Sequence, residues 1–450
     1  MKLGKCCAKP VRYTLLLLVA GVYQIFAQSV QRVEVSAEKA VEMAMKNNHS
    51  IKVLEHQQKQ AEYDIKSATT EFLPSVSVSG SYSRKKIEGI SGLFDPGMAS
   101  AFGLNENSFN YGLQVQQPIF TGFAILNGLN SAKLSSTITK ESAETVRQKI
   151  RYAVLQIYWG IVSLQKSGSV ASEAIKQLEE LTSNQEARME QGMSTEHDYL
   201  LTKASLAQAR MNELKVNKSV SSMKRQFAIL LGLPATTEIE LIDTSAEGNL
   251  SRNVNLDSTV SSALSGRSDL KEARLKMNLA DLGIKAAKSA FYPSIVAGFG
   301  YSNESPEPDI REMWRYNWAA SISLKFDLLD WGDRNFKLKK AREQQLALKE
   351  VLQEKKATVE KEVLDAYHEV EQLQSETEAA DLLMEAREKA YNASLAKYEE
   401  GVIPMYELLD AHNSLVSAKY AALQTATSLK LAVINLDMGG LGSGSSNSAQ

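Results

Sequence analysis

Glu407 and Asp410 lie three residues apart in the stretch YEEGVIPMYELLDA, which runs from Tyr398 to Ala411. That spacing puts both carboxylates on one face of a helix. Gly401 breaks the helix before them, and Pro404 is tolerated in the first turn of the next one. Two acids beside a helix N-terminus also stabilise its dipole, so a solvated pair near the cap is the plain alternative reading. Other reactive groupings are missing. No HExxH, GxSxG or GxxxxGK[ST] pattern occurs in the sequence. The five histidines, His49, His56, His197, His368 and His412, stand far apart without metal-ligand spacing, and the 13 methionines are scattered. Asp330 and Asp333 flank a helix start and read as capping residues. The expectation is a protein that is not an enzyme, with no cofactor and no metal.

The elements that position these residues begin after an export signal. Residues 1–28 read as a signal peptide: Lys2, Lys5, Lys9 and Arg12 precede the apolar run from Tyr13 to Phe26, and Ala27 marks a cleavage point. That run falls short of the ~20 apolar residues that span a bilayer. Cleavage would leave 47 basic against 53 acidic residues, a balance of −6, with no basic patch for nucleic acid. It would also remove Cys6 and Cys7, the only cysteines, so the mature chain would have no disulfide and no cysteine nucleophile. No later segment has 18 consecutive apolar residues. An exported chain of this kind can cross a membrane only as a β-barrel.

The remainder is written twice. FLPSVSVSGSYS from Phe72 and FYPSIVAGFGYS from Phe291 lie 219 residues apart, and at that shift Val41, Ala44, Ile51 and Pro74 fall on Val260, Ala263, Leu270 and Pro293. After the first strand the shift becomes 209, and Ile150, Val154, Tyr158, Leu164 and Gly192 meet Val359, Val363, Tyr367, Leu373 and Gly401. This pattern predicts tandem repeats over 29–244 and 245–438, with a flexible tail at 439–450. Each repeat reads as a helical stretch with a break (36–72, 256–291), two strands (75–83 and 111–117; 294–302 and 318–326), then a long and a shorter helix. The breaks fall near Asn47–Asn48 and near Gly266, and proline stops each first stretch. The alternation of VSVSGSYS is that of a two-faced strand. Four such strands are the whole expected sheet, and alone it would have sticky edges that copies from other chains could close.

The long proline-free stretches, 124–190 and 334–399, would each make ~100 Å of helix at ~1.5 Å per residue. Ile150, Val154, Ile157, Ile161 and Leu164 are spaced 4, 3, 4, 3, and Val359, Val363, Ala366, Val370 and Leu373 repeat that seam. It is coiled-coil packing. Helices over 195–231 and 405–436 return after the turns at Gly192 and Gly401. Tyr82, Tyr111, Tyr301, Trp314, Tyr316 and Trp318 gather at strand ends, as an aromatic girdle at a membrane interface would. The loops 84–110 and 303–316 would then be extracellular.

The order of these elements resembles the TolC family of outer-membrane efflux channels. The likeness is carried by the duplication, by QPIFTG from Gln117 with its partner FDLLDWGD from Phe326, and by the turns EQGMSTEHDYL and YEEGVIPMYELLDA. It covers about Val35 to Gly439. The resemblance implies a mainly α fold with a membrane β-barrel: a homotrimer with a 12-stranded barrel in outer-membrane lipid and a coiled-coil, α-helical tunnel in the periplasm. It implies a passive multidrug efflux outlet whose partners are a periplasmic adaptor and an inner-membrane pump, with the adaptor docking at the tip turns of Gly192 and Gly401. In the family's pattern the positions of Glu407 and Asp410 project acids into the periplasmic mouth as stacked anionic rings, which favour cations. Asp198 and Tyr398 match the family's gate residues, while Ile403 stands where the family has an arginine. The alternative for Tyr398 is plain packing. Alternative functions for the whole chain are the outlet of a type I protein secretion system and a non-conducting periplasmic coiled-coil scaffold.

Overall fold

The computed structural model describes residues 32–84, 107–242, 255–305 and 315–440. The expected signal peptide, most of both expected extracellular loops with Trp314, the segment 243–254 and the tail from 441 lie outside the described residues. In chain order the elements are β1 (Arg32–Val35), α1 (Ala37–Asn47), α2 (His49–Thr70), β2 (Ser75–Arg84), β3 (Asn107–Thr121), α3 (Ala124–Glu190), α4 (Glu196–Leu230), β4 (Glu238–Leu241), α5 (Leu256–Gly266), α6 (Ser268–Ser289), β5 (Ser294–Ser305), β6 (Arg315–Lys325), α7 (Asp333–Glu399) and α8 (Met405–Gly440). α3 and α7 have 67 residues each. No described helix is both long and apolar enough to cross a membrane. The chain divides into two compact units. One comprises Met1–Val53, Val146–Ala263 and Glu360–Gln450, the other Leu54–Thr145 and Leu264–Val359.

The second unit holds an antiparallel sheet in the order β2-β3-β5-β6. Residues paired directly across antiparallel strands share a face. One face therefore carries the rows Val76–Val115–Phe299–Ala320, Val78–Leu113–Tyr301–Trp318 and Gly80–Tyr111–Asn303–Tyr316, ending at Tyr82–Phe109. The other carries Ser75–Gln116–Gly298–Ser321, Ser77–Gln114–Gly300–Ala319 and Ser79–Gly112–Ser302–Asn317. One face is thus apolar and aromatic, the other small and polar without charge in these rows. Five of the six aromatic residues singled out in the sequence lie together on the apolar face. Pro118 sits in β3, where the register to β5 shifts between Pro118 and Phe120. β2 has ended opposite Gln116, so the missing amide of Pro118 breaks no bond on that side.

One extended residue breaks the helical stretch before α2 and another before α6. In the first stretch it is Asn48 (φ −60°, ψ 132°), in the second Arg267 (φ −62°, ψ 131°). Within the second unit Arg267 grips Asp269 through Nε at 3.0 Å and Nη2 at 2.8 Å, and Lys355 of α7 donates its ammonium at 3.0 Å. Burial works to raise the Asp269 carboxyl pKa, but the hydrogen bonds and charges of Arg267 and Lys355 win and hold it below the usual carboxylate range. Asp330 caps the start of α7, accepting from the amides of Gly332 at 3.1 Å and Arg334 at 3.0 Å.

The first unit contains two strands beyond the four expected. β1 and β4 pair in parallel, Arg32 opposite Glu238 and Val35 opposite Leu241. Each is four residues long with its partner far away in sequence, so no local alternation announces it. Here Asn48 donates through Nδ2 to the Leu230 carbonyl at 2.7 Å, tying the end of α1 to the end of α4. Gly232, at φ +74°, lets the chain turn away from α4 directly over Asn47, where a Cβ would stand 2.5 Å from the Asn47 carbonyl oxygen. Of the seam residues, Ile150, Val154 and Ile161 of α3 and Val359, Val363 and Ala366 of α7 are buried. Tyr158 is packed edge-on between Trp159 and Phe227, at centroid distances of 5.3 and 6.2 Å.

Two measurements check this packing. Asp269→Asn should lower stability by about 1–3 kcal/mol, because Arg267 and Lys355 lose their charged acceptor. The depressed pKa makes the wild-type contribution complete above the unfolded aspartate value of ~3.9 and lost as pH falls below it. The gap between the thermal melts of the two proteins should therefore hold steady from about pH 7 to about pH 4 and narrow as pH falls further toward the depressed folded value. Gly232→Ala should destabilise clearly more than Gly401→Ala, which adds only the strain of a positive φ, about 1 kcal/mol, in open space.

Candidate functional site

The four helix ends that bear the sequence's marked residues lie in the first unit. α3 and α7 stop in the same way. Gly192 (φ +72°) donates its amide to Met189 at 2.9 Å and Met193 to Arg188 at 2.8 Å, and Gly401 (φ +75°) donates to Tyr398 at 2.9 Å and Val402 to Lys397 at 2.8 Å. These paired bonds satisfy the last carbonyls of each helix, and they need a residue that accepts left-handed backbone. The chain then re-enters α4 through Thr195, whose Oγ1 accepts the Asp198 amide at 3.1 Å. It re-enters α8 through Pro404, whose carbonyl accepts the Glu407 amide at 3.1 Å.

Below the turns an apolar cluster joins the helices: Ile175, Leu178 and Leu181 of α3, Leu206 of α4, Tyr391 of α7, and Met405, Leu408, Leu409 and Leu415 of α8. Met405, Leu408, Leu409 and His412 turn the buried face of α8 inward, which leaves Glu407 and Asp410 together on its exposed face. The structure therefore brings the two acids to one solvent-facing surface just after the Gly401 turn.

Asp198 and Tyr398, the two residues that match the family's gate, each have a partner of their own within the chain. The Asp198 carboxylate accepts from the Thr195 hydroxyl at 2.8 Å, which stands three residues earlier at the helix cap and is the nearer donor. The Tyr398 hydroxyl is met by the Nε2 of Gln185, a side chain of α3 only 1% exposed, and the Arg188 guanidinium lies 5.5 Å from the Tyr398 ring centre. Ile403, in place of the family's arginine, is half-buried.

These contacts belong to a stripe that sequence reasoning missed. Glu173, Gln177, Gln185 and Arg188 recur along α3 at multiples of about one turn, and each reaches the α7–α8 hairpin. Glu173 pairs with Lys419 at 3.0 Å, Gln177 with His412 Nε2 at 3.1 Å, and Gln185 and Arg188 with Tyr398. A second stripe on α3 serves its own hairpin partner α4, with Glu179 to Arg210 at 2.7 Å and Glu186 to the Tyr199 hydroxyl at 3.2 Å. The available signal was spacing: His412 falls at i+4 from Leu408 and i−3 from Leu415, on the apolar face of its helix. It is 1% exposed, with the Tyr391 ring edge-on at 5.6 Å. Burial pushes its pKa below the ordinary histidine range; the Asn413 side chain opposes this, and the positive charge of Lys419 adds to it. Among the described residues no three His, Cys, Asp or Glu side chains converge as a metal site would require.

The comparisons with known proteins agree with this architecture. The chain matches the Outer membrane efflux protein family over residues 40–233 and 259–438. It is 22% identical to outer membrane protein OprJ of Pseudomonas aeruginosa, over 90% of this chain and 83% of that protein. It is 23% identical to the probable efflux pump outer membrane protein TtgC of Pseudomonas putida, over 89% and 81%. The crystal structure of the Campylobacter jejuni CmeC outer membrane channel superposes with a TM-score of 0.75 at 17% identity, covering 90% of this chain and 85% of that one. The match spans both stretches that contain the paired helix ends, and on that ground the chain belongs to the outer membrane efflux protein family and is a transport protein of the outer membrane.

Proposed function

We propose that three copies of this chain close their four-stranded sheets into one barrel through the outer membrane, and that their duplicated helical hairpins continue it as a tunnel in the periplasm. The observation that carries this reading is the sheet itself: one apolar and aromatic face, one small polar face, and outer strands β2 and β6 that are each paired on one side only among the described residues. Such a sheet suits lipid on one side and water on the other, and closure with other copies satisfies its edges. Relatives named for the efflux of antibiotics and of toluene, ArpC and TtgC of Pseudomonas putida, favour small toxic compounds as cargo over polypeptides. In this reading the duct works with a periplasmic adaptor, which meets the turns at Gly192 and Gly401, and with an inner-membrane pump that supplies the energy. Glu407 and Asp410 face the narrow mouth, where carboxylates from several copies would attract cations and repel anions. Tyr398 and Asp198 belong to the gate, each through the partner described above.

Two experiments test this. Ile322, 79% exposed on the apolar face, should not tolerate charge: Ile322→Lys costs about 2–4 kcal/mol at the middle of a bilayer and should abolish the heat-resistant oligomer on gels. Ser321→Lys, on the opposite face, should assemble normally. Equal behaviour of the two variants would refute the barrel assignment. In planar bilayers the purified protein should give stable, cation-preferring channels, and Glu407→Gln/Asp410→Asn should move the reversal potential in a salt gradient toward that of a non-selective pore. An unchanged reversal potential would remove the two acids from the filter, and no conductance in any preparation would remove the channel.

A further inference from the structure

His412 is the one ordinarily titratable side chain at neutral pH that the folded helix ends enclose among the described residues, and the proposed transport does not use it. Its surroundings make it a poor place for a proton. The Nε2 is engaged by the Gln177 side chain of α3 at 3.1 Å, and the Tyr391 ring of α7 covers it edge-on at 5.6 Å. The groups that face it from each packed element can be named. α3 presents neutral Gln177 and, one turn away, Glu173, whose charge is already taken by Lys419 at 3.0 Å. α7 presents Tyr391, whose hydroxyl is kept un-ionised by burial and by Glu180 of α3. α8 presents Asn413 and the positive Lys419. The cluster residues that α4 brings, Leu201, Leu206 and Ala209, carry no charge. No carboxylate is among the groups that act on the ring; Glu173 is paired with Lys419, and the charge felt by the ring is the positive one of Lys419.

We propose that His412 is an acid-operated release for the contact between α3 and the α7–α8 hairpin, so that protonation of this ring loosens the helix ends and opens the pore. The inference rests on the channel reading given above and adds a regulator to its gate. The physical argument is linkage. A ring packed here resists a proton, while the same ring turned out to water accepts one at the ordinary histidine value of ~6.5. Acid below that value therefore favours whichever arrangement lets the ring out. The sign follows directly: the packed arrangement is at full strength above about pH 6.5 and loses ground as pH falls toward the depressed value of the packed ring. Leaving the packed site also breaks the Gln177 contact, one of the polar links in the stripe that joins α3 to the second hairpin. Because outer-membrane pores pass protons freely, the pH on the periplasmic side follows that of the medium.

The test is single-channel recording of the full-length assembled protein, with the solution on the helical side taken from about pH 7 to about pH 5. Wild type should show open probability rising severalfold across that range. His412→Gln, which keeps a hydrogen-bonding side chain toward Gln177 and cannot titrate, should conduct with no such rise. Lys419→Met removes the like charge that helps keep the packed ring neutral and should blunt the response even if His412→Gln assembles poorly. A wild-type response that persists undiminished in both variants, or a wild-type open probability flat over this range, overturns the proposal. Absence of conductance in wild type at every pH overturns instead the channel reading on which it rests.

Discussion

Two sheet edges that no described strand covers are the constraint from which the rest of this structure follows. β2 and β6 each pair with a strand on one side only among the described residues, so the outer side of each is open to a further strand. Lipid offers no hydrogen bonds, and leaving backbone amides and carbonyls unmet there costs several kcal/mol apiece by the usual estimate of about 2–7. A sheet of four strands whose one face is lined by Val78, Leu113, Tyr301 and Trp318 is too apolar for water on that side and too open at its edges for lipid. Both difficulties are met when sheets join edge to edge. The serine and glycine rows on the other face then line the interior, where small uncharged side chains leave room and make no electrostatic choice. Selection by charge, in the proposed arrangement, falls to acids elsewhere, the role proposed for Glu407 and Asp410.

The helical parts solve a different problem. Helices of 67 residues must stop cleanly and turn back, and both do so with the same left-handed glycine and the same pair of backbone bonds. Apolar packing between the returning helices is permissive, since leucines and alanines can slide past one another at modest cost. The polar contacts of the α3 stripe are not permissive. A buried glutamine such as Gln185 or a buried histidine such as His412 makes one bond in this register, through Nε2 to Tyr398 and to Gln177, and would lose it in others. They make the packed arrangement specific, and they make it breakable at defined points. Ile403 stands where the resembled family has an arginine, and within this chain Tyr398 is met by Gln185 and Arg188 of α3.

Much of this architecture was legible in order along the chain. The helix from Ala124 to Glu190 coincides with the proline-free stretch, because nothing in that stretch breaks a helix and glycine at position 192 ends it. The strands around VSVSGSYS were legible because alternation has a period of two and proline stands before it. The breaks at Asn48 and Arg267 were legible near the right places because polar and glycine residues interrupt both helical patterns. By contrast β1 and β4, the Asp269 triad with Arg267 and Lys355, and the partners of Tyr398 were not. Each depends on residues brought together from distant parts of the chain, and a four-residue strand or a single glutamine carries no periodic signal of its own.

By itself, then, the sequence determined the periods, the stops and the faces: local backbone preference and the spacing of apolar residues act within a few turns and need no knowledge of the rest. The meeting of Tyr398 with Gln185, the burial of His412 between Gln177 and Tyr391, and the parallel join of Val35 to Leu241 were decided only by the tertiary structure. A hydrogen bond goes to whichever donor the folded backbone brings within about 3 Å, and that distance is a property of packed helices and strands, not of residue order.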